Sequence, residues 1–228
     1  MSATSKVILI LGSGPNVGQH VARAFSAKGY KVAITSRSAQ EGDSSSGTLS
    51  IATDLSDPES VAQTFSKVKA SLGVPSVVVY NAAAGAPVDA KNPLSHSLAD
   101  FTRSLNVNTI SAFAAAQQAI QGFAELPDSA SRTFIFTGNI LNTTIIPALL
   151  AGGAGKSATA HIVRVAASVY SDRGFKFYYA DERKPDGSPA YNAIDGEAHG
   201  KFYAELSESK SQGPWQQTFV KGEGYKQF

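Results

Sequence analysis

The stretch that decides the fold covers residues 6–28 and reads KVILILGSGPNVGQHVARAFSAK. Residues 7–11 form a continuous apolar run that ends at a glycine, which is typical of a buried parallel strand. Val17, Val21 and Phe25 then recur at helical spacing and predict one apolar stripe along a helix. A strand, a tight glycine turn and a helix in this order form the arrangement that holds a nucleotide.

Three glycines mark the turn between this strand and this helix. Gly12 allows the chain to turn tightly, Gly14 lets a ligand phosphate approach the backbone, and Gly18 lets the helix pack closely on the strand. The helix N-terminus presents free N–H groups and a partial positive charge to an anion. The alternative is that the glycines serve turn geometry alone, but a second apolar strand over residues 31–36 favours dinucleotide binding.

The composition bounds the classes of protein. A chain of 228 residues with 43% hydrophobic residues fits one α/β domain with one core. The net charge of +2 gives no electrostatic case for nucleic acid or for an anionic membrane surface. The absence of cysteine excludes disulfides and thiolate chemistry and fits a reducing, cytoplasmic location. The start of the chain lacks a signal-peptide core, and no apolar run reaches membrane-spanning length.

Strand-like and helix-like stretches alternate along the rest of the chain. This alternation predicts an α/β fold, a single-domain Rossmann-type doubly wound parallel sheet of about seven strands with helices on both faces. Further strands are expected at residues 48–52, 76–80, 132–137, 175–179 and 217–220, and helices at 57–72, 97–123, 154–170 and 194–209. The stretch 40–47 is expected to be a loop. No repeat or second domain is visible, so we predict one domain over 1–228, with 181–209 as a loop-helix substrate cap.

Arg37 follows the second strand, where no aspartate or glutamate stands. In such folds an acidic residue at this point favours NAD, whereas an arginine accommodates a 2′-phosphate. The sequence therefore predicts that NADP(H) is preferred over NAD(H). The alternative is a solvated arginine in a loop. The four histidines lie far apart in sequence with no ligand spacing, so no metal site is expected.

The segment Tyr80-Asn81-Ala82-Ala83 after the fourth strand resembles the Asn-Asn-Ala-Gly turn of the short-chain dehydrogenase/reductase superfamily. The wide glycine spacing of the first turn also resembles this family, and the resemblance covers nearly the whole chain. It implies that Asp54 and Leu55 contact adenine. The full predicted cofactor site comprises Gly12, Ser13, Gly14, Asn16, Val17, Gly18, Ser36, Arg37, Asp54, Leu55, Asn81, Ala82, Ala83 and Lys156.

The same resemblance implies an active-site asparagine at Asn108 and an active-site lysine at Lys156. Two positions depart from the family pattern. Asn139 stands where a serine is expected after the fifth strand, and Gly152 stands where a tyrosine is expected four residues before the lysine. We therefore predict Asn108, Lys156 and Asn139 as the catalytic set, with the alternative that Asn108 is exposed or merely satisfied by hydrogen bonds.

The missing tyrosine bears on the chemistry, because hydride addition to a carbonyl creates an alkoxide that needs a proton donor. We predict an NADPH-dependent reductase of a small organic substrate, such as an imine, an iminium ion or an activated double bond or carbonyl. The alternative functions are an NADP-binding regulatory protein and an enzyme that uses the pocket for non-redox chemistry. A further alternative is that Tyr178, Tyr179 or Tyr191 replaces the missing tyrosine as the proton donor.

We also expect a homodimer or a homotetramer. The predicted helices 97–123 and 154–170 are rich in alanine, which permits two copies of a helix to approach closely. The alternative is that these alanines pack only against the sheet of their own chain.

Overall fold

The computed structural model describes residues 6–40, 42–43 and 47–228. Strands and helices alternate along the chain, as the sequence pattern predicts. In chain order they are β1 (Val7–Leu11), α1 (Val17–Ala27), β2 (Lys31–Ser36), β3 (Gly42–Asp43), β4 (Thr48–Ala52), α2 (Ser60–Ser71), β5 (Val77–Tyr80), α3 (Leu98–Leu105), a π-helical turn (Asn106–Ile110), α4 (Ser111–Glu125), β6 (Thr133–Thr137), α5 (Leu150–Tyr170), β7 (Lys176–Arg183), α6 (Gly196–Glu208), β8 (Gln216–Val220) and β9 (Gly224–Tyr225).

The described strands form one sheet in the order β3-β4-β2-β1-β5-β6-β7-β8-β9. The seven strands from β4 to β8 in this order run parallel to their neighbours, which confirms the predicted doubly wound sheet. The two-residue strands β3 and β9 add antiparallel edges that the sequence pattern did not predict. The predicted loop 40–47 thus contains β3, and its residues 41 and 44–46 lie outside the described residues.

Both faces of the sheet are buried, which explains why β1 is continuously apolar. Val7, Leu9 and Leu11 contribute to a core formed with α2, α4 and α5. Ile8 and Ile10 contribute to a second core, formed with α1 and α6. No helix in the described part of the chain is long and apolar enough to cross a membrane.

The sequence pattern predicts that the strand β7 ends at Tyr179, which is too early. The strand continues through Asp181, Glu182 and Arg183, which pair with β8 and are buried despite their charges. Their burial is tolerated because each charge has a partner. Arg183 Nε lies 2.5 Å from Asp181 Oδ2, and Glu182 Oε2 accepts a hydrogen bond of 2.8 Å from the backbone N–H of Asp195.

The segment 181–209, predicted as a substrate cap, is divided among three parts of the fold. Residues 181–183 complete β7, and α6 packs beside α1 on one face of the sheet. Gly200 permits this close packing, because a Cβ there would lie 2.9 Å from the backbone oxygen of His20. Only residues 184–195, called the connection here, remain to pass over the carboxyl edge of the sheet.

Two helices differ from the prediction: the first, over 97–123, is not continuous, and the second, α5, begins earlier. The stretch 97–123 is interrupted by the π-helical turn, which inserts an extra residue into the helix and often marks a functional site. α5 begins at Leu150 rather than near Lys156, so Lys156 lies inside the helix. Glycines over 152–155 obscured this start, because glycine is an unfavourable residue within helices.

Candidate cofactor and active site

A cleft of about 590 Å³ lies at the carboxyl ends of the parallel strands. The turns after β1, β2, β4 and β5 form its walls, and α3 closes one side. Ten of the residues predicted to bind a cofactor line this single cleft: Gly12, Ser13, Gly14, Ser36, Arg37, Asp54, Leu55, Asn81, Ala82 and Ala83. Because parallel strands end at one edge of the sheet, residues distant in sequence meet here.

The glycine-rich turn is pressed against the turn after β5. Gly12 has a φ of +92°, and a Cβ there would lie 2.6 Å from the backbone nitrogen of Ala82. Asn81 Nδ2 donates a hydrogen bond of 2.8 Å to the Gly12 oxygen and joins the two turns. Gly14, in contrast, has no atom within 4 Å of a built Cβ and faces open space in the cleft. The backbone is therefore accessible at the point where a phosphate is expected.

Asn16, Val17, Gly18 and Lys156 were also predicted to bind the cofactor, but they lie outside the lining of this cleft. Gly18 has a packing role, as the sequence suggested, although its neighbour differs. A Cβ on Gly18 would lie 2.6 Å from the Cα of Ser13, so the helix packs on the turn rather than on the strand.

Two arginines and one aspartate share the end of the cleft beside β2. Asp54 accepts hydrogen bonds from the Ser56 backbone N–H at 2.9 Å and from Ser56 Oγ at 2.8 Å. These bonds, and the nearby guanidinium groups of Arg37 and Arg103, hold the pKa of Asp54 below its usual value. Arg103 reaches the cleft from α3, and no motif in the sequence had marked it.

Further lining residues were not predicted from the sequence either. They either flank the predicted turns or belong to α3 and the π-helical turn. They are Thr35, Thr53, Ser56, Ala84, Gly85, Ala86, Asp100, Ser104 and Val107. The first group could have been found by extending each predicted turn by one or two residues.

Asn108 lies in the π-helical turn and is only 1% exposed. Its Nδ2 donates to the Ala84 oxygen at 2.5 Å and to the Ser104 oxygen at 2.9 Å. Its own backbone oxygen accepts a hydrogen bond of 2.6 Å from Thr159 Oγ1 in α5. Asn108 therefore fixes Ala84, a residue of the cleft wall, and its side chain is satisfied within the protein.

Lys156 projects from α5 onto the end of β6 and is 4% exposed. Its Nζ donates a hydrogen bond of 2.9 Å to the Thr137 oxygen and lies 4.3 Å from the centre of the Phe136 ring. Burial lowers the pKa of Lys156 to about 7, although the carboxylate of Asp181 acts in the opposite direction. One turn earlier, a Cβ on Gly152 would meet only Leu141, at 3.5 Å.

Asn139 follows β6 and is fixed by the neighbouring strand. The Tyr179 hydroxyl donates to the Asn139 oxygen at 2.7 Å and accepts from the Asn139 N–H at 3.1 Å. The Asn139 Oδ1 accepts a hydrogen bond of 3.0 Å from the Leu141 N–H, capping the helical turn 140–142. Gly138 makes room for the tyrosine, because a Cβ there would lie 2.0 Å from the Tyr179 ring.

The three tyrosines considered as proton donors have different surroundings. Tyr179 is fully buried, and burial raises the pKa of its hydroxyl above the ordinary value. Tyr178 belongs to the core on the opposite face of the sheet. Tyr191 is 57% exposed in the connection. Only the Tyr179 hydroxyl reaches the turn at Asn139, and it is occupied there by the backbone.

Comparisons with known proteins agree with this architecture. A family model described as "Enoyl-(Acyl carrier protein) reductase" matches residues 13–178. The chain is 48% identical over 236 residues to the short chain dehydrogenase/reductase dmxR12 of Cryptosporiopsis sp. (strain 8999), covering 99% of this chain and 96% of that protein. No group of histidine, aspartate and glutamate that could hold a metal ion occurs within the described residues.

Solved structures share the fold at low sequence identity. A 3-ketoacyl-(acyl-carrier-protein) reductase from Brucella melitensis, complexed with NADH, has a TM-score of 0.76 at 18% identity, covering 95% of this chain and 97% of its own. BdcA in complex with NADPH has a TM-score of 0.71 at 20% identity, covering 99% of this chain and 97% of its own. Because the family model spans most of the chain and the Cryptosporiopsis relative aligns over nearly all of both sequences, this protein belongs to the short-chain dehydrogenase/reductase superfamily.

Proposed function

We propose that this protein is a reductase of the short-chain dehydrogenase type that binds NADP(H) in preference to NAD(H). The observation that carries the proposal is the single cleft in which ten predicted cofactor residues meet. Its volume of about 590 Å³ lies in the range of small-molecule sites. The open backbone at Gly14 and the guanidinium groups of Arg37 and Arg103 suit a ligand with several phosphates.

The residues of the chain divide the work of holding such a cofactor. The backbone at Gly12 to Gly14, in the turn that leads into α1, would hold the diphosphate. Arg37 and Arg103 would hold the 2′-phosphate, while Asn81 and Asn108 keep the neighbouring turns in position. The bound nicotinamide would supply a hydride. These roles need no metal ion.

We further propose that the substrate is a small iminium ion or imine, or an electron-poor double bond or carbonyl. Position 152 is glycine and the Tyr179 hydroxyl is bound to the backbone, so neither offers a free acid. Hydride addition to an iminium carbon gives a neutral amine without a proton in that step. Addition to an enone spreads the charge into an enolate, which backbone amides of the cleft could stabilise. A simple ketone has neither route, and loss of a general acid typically costs roughly 10²–10⁴ in rate.

A panel assay of NADPH oxidation tests this proposal. Iminium ions, enones and simple ketones are compared in the native protein and in Gly152→Tyr, where a Cβ would make only an ordinary contact, 3.5 Å from Leu141. We expect native turnover of the first two classes and little of ketones, with ketone turnover gained in Gly152→Tyr. Ordinary ketone turnover by the native protein, abolished in Tyr179→Phe, would overturn the substrate proposal.

A second candidate function is an NADP(H)-binding regulatory protein without turnover. The enclosed positions of Lys156 and Tyr179 favour it, because neither side chain is exposed to a substrate. Tight NADPH binding with no turnover across the panel would support this candidate. An absence of nicotinamide binding would leave non-redox use of the pocket, the third possibility.

We also propose that the protein is a cytoplasmic homodimer or homotetramer that acts on a small molecule and binds neither nucleic acid nor membrane. The outer faces of α4 and α5 support self-association, because Phe113, Val165 and Val169 are 45%, 47% and 62% exposed. Alanines of these helices such as Ala115 and Ala160 instead pack in the core of their own chain. The exposed apolar side chains on these helices therefore carry the proposal.

A further inference from the structure

Asn16 connects two parts of the chain that are distant in sequence. It stands between the glycine-rich turn and α1, and its side chain lies outside the lining of the cleft. Its Nδ2 donates a hydrogen bond of 2.9 Å to the Ile194 oxygen, and its Oδ1 accepts one of 2.9 Å from the Gly196 N–H. Both ends of the amide are thus used to hold the end of the connection.

The contact depends on the absence of a side chain at Gly196. A Cβ there would lie 2.5 Å from Asn16 Oδ1 and 2.5 Å from His20 Nδ1. His20 Nδ1 in turn lies 2.7 Å from the Asn16 backbone oxygen, to which it can only donate. The N-terminus of α1 and the start of α6 therefore fit together through one asparagine, one histidine and one glycine.

The residue between the two contacts is anchored as well. Asp195 donates its N–H to Glu182 at the end of β7, and its Oδ1 accepts from the Ala198 N–H at 2.9 Å, capping α6. Lys221 Nζ lies 2.5 Å from Asp195 Oδ2. The connection consequently ends in two fixed residues, Ile194 and Asp195, and the fixed Gly196 then begins α6. Its preceding residues 191–193 are exposed at the carboxyl edge of the sheet.

We propose that Asn16 is a positioning residue that couples cofactor binding to the placement of the connection. The inference rests on the proposed NADP(H) function. The turn from which Asn16 projects is held by its own backbone bonds, such as Gln19 N–H to the Gly14 oxygen at 3.1 Å. A diphosphate bound to this turn restrains it further, and through Asn16 it restrains Ile194 and Gly196. The end of the connection is thereby ordered when the cofactor is present.

Hydrogen–deuterium exchange of the backbone amides of residues 184–196 tests this coupling, with and without saturating NADPH. In the native protein we expect NADPH to slow exchange there by about fivefold or more, the lower end of typical couplings between sites. Asn16→Ala should remove this effect while NADPH still binds in a direct titration. Asn16→Asp keeps the acceptor for Gly196 and loses the donor to Ile194, so it should retain part of the effect. Asn192→Ala, in the exposed part of the connection, is the matched control and should behave as the native protein.

The outcomes separate this inference from the proposed function. NADPH binding without any change of exchange in residues 184–196 would overturn the coupling and leave the cofactor assignment intact. The same holds if Asn16→Ala keeps the full protection. If the native protein binds no nicotinamide dinucleotide, the proposed function fails and the coupling fails with it. Should Asn16→Ala not fold, Asn16→Asp replaces it in the comparison, and its protection by NADPH should then be smaller than in the native protein. A rise in substrate KM in that variant, without an equal loss of NADPH affinity, would further support positioning over a purely structural role.

Discussion

Replacing Lys156 with methionine probes the ammonium enclosed between α5 and the sheet. Its only close partners among the described hydrogen bonds and ring contacts are the Thr137 oxygen and the Phe136 ring. Burial lowers its pKa from 10.5 to about 7. The unfolded chain therefore binds more protons than the folded protein between about pH 7 and pH 10.5, and the free energy of unfolding rises with pH across that window.

The size of the effect follows from these two pKa values. Proton linkage gives a gain in the free energy of unfolding of about 3 kcal/mol between about pH 6 and pH 9 from this one lysine. Methionine has a similar length and no charge, so Lys156→Met removes this gain. Lys176, whose pKa burial lowers to about 8, acts in the same direction but is common to both proteins. The difference in the free energy of unfolding, Lys156→Met minus native, should therefore be about 3 kcal/mol larger at pH 6 than at pH 9.

Urea unfolding at the two pH values measures this difference. The single tryptophan, Trp215, packs near Tyr179 and reports tertiary structure by fluorescence, while far-UV circular dichroism reports the helices. Lys201→Met, at an exposed site on α6, is the matched control and should unfold with the native pH dependence. Protein concentration is held constant, because oligomers unfold in a concentration-dependent way. If the free energy of unfolding changes between the two pH values by the same amount in both proteins, within about 0.5 kcal/mol, the assignment of a buried, weakly solvated charge at this site is refuted.

Three further changes test other parts of the structure. Arg37→Ala should weaken NADPH binding roughly ten- to a hundredfold in a direct titration, because a hydrogen bond to a charged group is lost, and it should change NADH binding little. Equal losses of affinity for the two cofactors would show that Arg37 does not bind the 2′-phosphate. Gly138→Ala should lower the free energy of unfolding by about 1–3 kcal/mol, because its Cβ would overlap the Tyr179 ring, and an unchanged urea midpoint would contradict this packing. Light scattering at micromolar concentration should give the mass of a dimer or tetramer, and Phe113→Glu should reduce it; a monomeric native protein would exclude the proposed assembly.

The parts of the fold that the sequence predicted well are those with a single physical signal. β1 has five apolar residues in a row because both faces of the central sheet are covered, and the glycines after it allow the turn. Strand ends that carry charge gave no such signal. Asp181 and Arg183 resemble the start of a loop in sequence, but their mutual ion pair and their pairing with β8 allow β7 to continue through them.

The candidate site was predictable where topology alone brings residues together. Residues that directly follow parallel strands, such as Gly14, Arg37 and Asp54, meet at one edge whatever the details of packing. Arg103 enters the same cleft from a helix, and its side-chain direction depends on how that helix packs. The contact of Asn16 with Ile194 likewise depends on how α1 and α6 approach each other, which hydrophobic periodicity does not specify.

In the turn after β6, the sequence indicates which side chains are absent, but only the structure shows which contacts hold the turn. From the sequence resemblance, we predict that Asn139 and Gly152 stand at the positions where the family pattern has a serine and a tyrosine. The structure adds that Gly138 and Tyr179 act as a pair, since the ring fills the space that a side chain at 138 would need. The Tyr179 hydroxyl then binds both backbone groups of Asn139 and fixes the turn without offering a proton. The hydroxyl considered as a replacement for the acid thus serves to hold this turn rigid. Under the proposed function, the substrate is therefore one that accepts a hydride without an acid from the turn.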